Sequence, residues 1–136
     1  MGNQDNGRSN HFEALFNYAT MGILITDQHG QITAINPFAL KEFGFKEDEL
    51  MGKKIEVLIP FRYHRTHEDH RNQYFEKPQT RPMGVGMDLY ALRKDGTEFP
   101  VEVSLGHYEI EGEKFVMAFI SDITKRKEQE NILPAP

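Results

Sequence analysis

The sequence predicts an α+β domain, a five-stranded antiparallel sheet with helices covering one face and further helices at both ends. Three observations carry that prediction. Residues from Val85 to Ile120 hold three apolar-alternating or apolar runs joined by the tight-turn pairs Asp95-Gly96 and Glu111-Gly112, the pattern of an antiparallel meander. Two shorter apolar runs, Gly22–Thr26 and Gln31–Ile35, flank the turn Asp27-Gln28-His29-Gly30. Between these two groups lie segments punctuated by helix start and stop signals and no strand signal.

In chain order, residues 1–10 are polar and rich in Gly and Asn and are expected to be a disordered tail. Phe12, Leu15, Phe16 and Ala19 recur at i, i+3, i+4 and i+7, so a helix over 11–20 is expected, with Asn10 as its N-cap. After the first two strands, Asn36-Pro37 reads as an N-cap followed by proline at the first helical position, and Gly44 as the glycine that ends that helix. Lys46–Met51 makes another turn or two, closed by Gly52, and Lys53–Leu58 a third short piece before Pro60. From Phe61 to Lys77 no Gly or Pro interrupts, which predicts a longer helix. The strand after it alternates Val85, Met87, Leu89 and Ala91, the next Phe99, Val101, Val103 and Leu105, and Phe115–Ile120 is apolar throughout, as a central strand should be. Asp95-Gly96 is expected to form a type I′ hairpin turn. Lys125–Asn131 is charged and helix-compatible.

The 136 residues fit one domain with one core, and ten Phe and five Tyr fill much of it. A net charge of −5 leaves no electrostatic footprint for nucleic acid. The chain has no cysteine, which removes disulfides, thiolate metal sites and cysteine nucleophiles. No signal-peptide pattern opens the chain and no apolar run nears the about 20 residues of a membrane span, so a cytoplasmic location is expected. The Gly-rich phosphate loop, Gly-x-Ser-x-Gly and His-Glu-x-x-His motifs are missing, so no intrinsic enzyme is expected.

One stretch stands apart. Ile59–Tyr74 contains His64, His67 and His70, half of the six histidines. In helical register Tyr63, His67, His70 and Tyr74 share a stripe without an aliphatic residue. His64 and His70, six residues apart, fall on different faces, so the three imidazoles do not converge on one zinc ion.

The order of elements, Asp27-x-x-Gly30, Asn36-Pro37, Arg93-Lys94-Asp95-Gly96-Thr97-Glu98-Phe99-Pro100 and the closing Asp122-Ile123-Thr124 together resemble a PAS sensor domain over about residues 11–124. Within that family the stretch from Leu58 to Pro100 is similar to the haem-binding PAS domains of the FixL/Dos type found in bacterial sensor kinases. The resemblance implies haem b, with His67 as the proximal ligand of the haem iron and Arg81 near the propionates. Tyr63 and Tyr74 share the histidine's stripe, while Val85, Met87, Val103 and Leu105 would form the apolar slot. Met87 stands where FixL has its oxygen-binding arginine, and Val85 where Dos has a methionine ligand, so neither ligand selectivity carries over.

The implied function is sensing of a haem-bound diatomic gas or a redox state. The signal would leave through Asp122, Ile123 and Thr124 to an exit helix starting within 125–136, which leads to an output domain such as a histidine kinase. A homodimer is expected, with Phe12, Leu15 and Phe16 as its contact. The alternatives are a cofactor-free dimerisation or protein-interaction domain, or a sensor of a small metabolite or flavin.

Overall fold

A computed structural model describes residues 3–64, 81–83 and 89–132, with side chains over 10–64 and 89–130. Helix α1 (Asn3–Tyr18) leads into strands β1 (Gly22–Asp27) and β2 (Ile32–Ile35). Helices α2 (Pro37–Phe43) and α3 (Glu47–Leu50) and 3₁₀ turns at Ile55–Leu58 and Phe61–Tyr63 follow. Then come β3 (Arg81–Met83), β4 (Tyr90–Leu92), β5 (Glu98–Ile110), β6 (Glu113–Asp122) and helix α4 (Thr124–Ile132). The antiparallel sheet is ordered β2-β1-β6-β5-β3, and β4 also pairs with β5. Six strand segments thus fill five positions, as the α+β reading requires.

The connection between β2 and α2 is built on Asn36, which is fully buried. Its Oδ1 accepts the Ala39 N–H at 3.0 Å, capping α2, and also the Ile23 N–H at 2.9 Å. Its Nδ2 donates to the Met21 carbonyl at 3.0 Å. Pro37 sits in the first turn, and Gly44, with φ 82°, ends the helix in the left-handed region where Leu40 O accepts its N–H. Helix α2 lays Ala39 and Phe43 on the sheet's inner face. There they join Leu24, Ile32, Ile35, Leu50, Leu58, Ala91, Phe99, Val101 and Ile120 in one core. Phe43 and Phe99 meet edge-on with ring centroids 5.4 Å apart, a favoured aromatic geometry.

Three expectations need correction. Helix α1 begins at Asn3, so residues 3–10 are helical where a disordered tail was predicted, and Asn10 lies inside the helix rather than capping it. Of the strand predicted from Val85 to Ala91, β4 covers the end, and residues 85–88 lie outside the described residues. Met83 stands opposite Val103 and Tyr90 opposite Pro100, so β5 advances three residues while the facing chain advances seven. The Asp95-Gly96 pair does not form a type I′ turn, because only Gly96 has positive φ (90°). Leu92 and Glu98 are the last pair of that hairpin, too far apart for a two-residue loop. The Asp95 carboxylate instead accepts the Thr97 N–H at 2.9 Å and the Thr97 hydroxyl at 2.6 Å. The type I′ geometry belongs to Glu111-Gly112, with φ 50° and 82°, where Ile110 and Glu113 close a two-residue loop. Last, the start of the predicted 61–77 helix is a 3₁₀ turn over Phe61–Tyr63, and residues 65–77 lie outside the described residues.

Candidate functional site

Of the residues predicted to line a pocket, the side chains of Tyr63, Val103 and Leu105 are described. Val103 and Leu105 in β5 pair with Ile120 and Ala118 of β6 and share the inner face of the sheet. Both are half-buried, and Val103 packs against the core. Alternation places them there, since Phe99 and Val101 point the same way from the same strand and are buried. Tyr63 is half-buried at the end of its 3₁₀ turn, with the Arg62 guanidinium 4.5 Å above its ring. Arg62 grips Glu98 with two parallel bonds of 2.7 Å, which ties that turn to the start of β5 and holds the Glu98 carboxyl below its ordinary range. His64 turns back on its own loop. Its Nε2 lies 2.6 Å from the Ile59 carbonyl, which can only accept, so Nε2 donates. His67, Tyr74, Val85 and Met87 lie outside the described residues, as does the side chain of Arg81. Val103 and Leu105 therefore supply an apolar, half-buried surface on the inner face of the sheet.

The second predicted site is the passage from sheet to exit helix, and here the residues do converge. Asp122 ends β6 opposite Val101, and Ile123 N–H donates to the Pro100 carbonyl at 3.0 Å. Asp122 Oδ1 then accepts the Thr124 N–H at 2.8 Å and the Thr124 hydroxyl, which serves an open donor of the first turn of α4. The Ile123 carbonyl accepts the Lys127 N–H at 2.9 Å. The Asp122 carboxylate does not bond Lys125 or Arg126, the cations that follow it in the chain. Its cation is Arg93, with Nη2 3.7 Å from Oδ2. Arg126 bonds Glu102 of β5 instead, a second tie between sheet and helix that lowers the Glu102 carboxyl.

Arg93 and Glu42 are the site residues that sequence reasoning missed. Arg93 lies flat on Phe99 at 4.2 Å, donates from Nε to the Glu42 carbonyl at 3.3 Å and from Nη1 to Thr97 Oγ1 at 3.3 Å. Its place in the Arg93–Pro100 run, with an acidic strand end downstream, was the available signal. Glu42 follows the buried Ala39 by three residues, which sets it on the flank of α2's inner face. Its Oε1 is buried without a hydrogen-bond partner. Burial first, and the Asp122 carboxylate second, push its carboxyl up from 4.5 to about 7 against the pull of Arg93. Both residues open onto a surface cleft of about 430 Å³, lined also by Lys41, Phe43, Gly44, Lys94 and Asp95. Lys94 crosses it to Glu49 of α3 at 2.6 Å. Among the described residues, no group of three or more histidines and carboxylates is placed to hold a metal ion. None of the described helices is long and apolar enough to cross a membrane.

Comparison with known proteins agrees with this architecture. The chain is 25% identical over 123 residues to the sensor protein FixL of Bradyrhizobium diazoefficiens, covering 90% of this chain and 24% of that protein. It is 25% identical over 126 residues to the oxygen sensor protein DosP of Escherichia coli, covering 93% of this chain and 16% of that one. The chain thus spans a quarter or less of these relatives. Among solved structures, the PAS domain of an HTR-like protein from Haloarcula marismortui superimposes with a TM-score of 0.72 at 24% identity, over 88% of this chain and 95% of that one. The family model for the PAS domain matches residues 20–125. With that match, the sheet order and the Asp122–Thr124 junction on the page, the chain belongs to the PAS domain family.

Proposed function

We propose that this PAS domain, with its N-terminal helix within 11–124, senses a diatomic gas or redox state through bound haem b, with His67 as the proximal ligand. The observation that carries the reading is the likeness over nine-tenths of the chain to two sensors, one named for oxygen. The apolar inner surface of Val103 and Leu105 supports it. When bound, haem supplies an open coordination position for a gas. The chain's own task is to grip the ring, with Tyr63, Tyr74, Arg81, Val85 and Met87 as further lining, and to exclude water from its face. A change in sheet packing then reaches α4 through Asp122, Ile123 and Thr124, as a shift between pre-existing populations.

The domain itself carries no catalysis in this reading. Residues 125–136 begin a linker to an output domain such as a histidine kinase, and the protein works in the cytoplasm. A homodimer forms through α1, where Phe12 and Leu15 stand 71% and 70% exposed and Phe16 is partly covered. The test is an absorption spectrum after reconstitution with haemin. A sharp Soret band is expected for the natural chain and its loss for His67→Ala. Equal spectra would remove His67 from the role, and no band in either would leave the module sensing a metabolite or flavin, or serving as a cofactor-free interaction domain.

A further inference from the structure

Glu42 has no part in the reading above, yet it sits where three distant parts of the chain meet. An added Cβ at Gly22 would lie 3.0 Å from Glu42 Oε1, so the carboxyl is wedged against the start of β1. Arg93 touches the Glu42 backbone on one side and faces the Asp122 carboxylate on the other. Arg93 thus holds Glu42 by its backbone while its charge acts on the Glu42 carboxyl, and its partner carboxylate, Asp122, caps the exit helix.

We propose that Glu42 is a proton-operated latch on the junction between sheet and exit helix. Protonated, it leaves Arg93 to Asp122; ionised, it competes with Asp122 for Arg93 and loosens the Thr124 cap. Two charges act on its carboxyl, Asp122 and Arg93. The other charged groups near it are accounted for element by element. From α2 comes Lys41, and from the β4–β5 turn come Lys94, held by Glu49, and Asp95, bonded to Thr97. Strand β1 contributes the uncharged Gly22, and α1, which packs on α2, carries His11 and Glu13 in its described turns. In α4, Arg126 is engaged by Glu102.

The unpartnered Oε1 fits a carboxyl that spends part of its time protonated, since a buried ionised oxygen without a donor is costly. Its upward displacement to about 7 sets the working range near neutrality. The cleft that Glu42 lines gives solvent a route for the proton. The sign follows from linkage. Between 4.5 and about 7 the folded chain holds a proton that the unfolded chain has released, so the protonated junction is the more stable one and tightness falls as pH rises through that window. Glu42, Arg93 and Asp122 are not among the residues proposed to line the inner slot, so the latch can be tested without a bound cofactor.

The test is a titration of the 136-residue chain by NMR from about pH 5 to about pH 9, following the Thr124 and Lys127 amides and the Glu42 side-chain carboxyl carbon. The three signals are expected to move together with a midpoint near 7, and Glu42→Gln should abolish the amide response. An amide response that survives in Glu42→Gln would overturn the latch. A Glu42 carbon titrating near 4.5 in the natural chain would overturn it as well, whether or not the variant folds.

Discussion

Replacing Asn36 by alanine removes three hydrogen bonds at a position with no exposure to solvent. Two of the groups left behind are backbone donors, Ile23 N–H at the edge of β1 and Ala39 N–H in the first turn of α2; the third is the Met21 carbonyl. Each net bond is worth about 1 kcal/mol, and a buried group left without a partner costs about 1–3 kcal/mol. Three such groups put Asn36→Ala at about 3 kcal/mol or more, a large share of the about 5–15 kcal/mol that holds a small domain. Urea unfolding followed by far-ultraviolet circular dichroism measures it, since the chain has no tryptophan to report by fluorescence. Asn36→Asp is the sharper variant. An aspartate caps a helix as well as asparagine does. Here it would set an anionic oxygen against the Met21 carbonyl, so it should be clearly destabilising at neutral pH. Protonation restores an O–H donor for that carbonyl. Burial raises the new carboxyl above its unfolded value, so the deficit should shrink as pH falls through the raised value. A loss under about 1 kcal/mol for alanine, or an aspartate variant equal to asparagine at neutral pH, would refute the three-way role.

Three further outcomes follow from the geometry. Gly22→Ala sets a methyl 3.3 Å from both Ala39 Cβ and the Ile120 carbonyl as well as against Glu42, and should cost about 1–3 kcal/mol in the same unfolding assay. Glu111→Gly should stabilise by up to about 1 kcal/mol, because Glu111 is the non-glycine residue at positive φ in a type I′ turn; a loss of stability would show that its side chain matters more than its backbone. Leu15→Glu should turn a dimer into a monomer in sedimentation, and an unchanged mass would move the interface away from α1.

The parts of this domain that sequence reading reached are those whose chemistry is local. Asn36-Pro37 and Gly44 mark the ends of α2 because a cap, a fixed φ and a left-handed glycine act within a few residues of one another. The β5–β6 ladder was readable because alternation alone decides which face is buried. What sequence missed depends on distant partners. Met83 faces Val103 and Tyr90 faces Pro100, and no residue of β3 or β4 encodes that register step of four. Asp95-Gly96 has the composition of a type I′ turn, but the five-residue gap between Leu92 and Glu98 and the grip of Asp95 on Thr97 overrule the pair.

The site divides in the same way. Asp122-Ile123-Thr124 could be singled out by its resemblance to the close of a PAS domain, and its Asp–Thr bond is local. The partner of Asp122 could not, because Arg93 is 29 positions earlier and reaches it only after β5 and β6 have paired. Glu42 is further from view. Its neighbours are Gly22, Arg93 and Asp122, from three separate elements, and alone it reads as one more charge on a short helix. Burial turns that ordinary residue into one that titrates near neutrality. The sheet-to-helix junction is thus controlled by contacts made only in the folded chain, and it would respond to substitution at Gly22 or Arg93 as directly as at the motif itself.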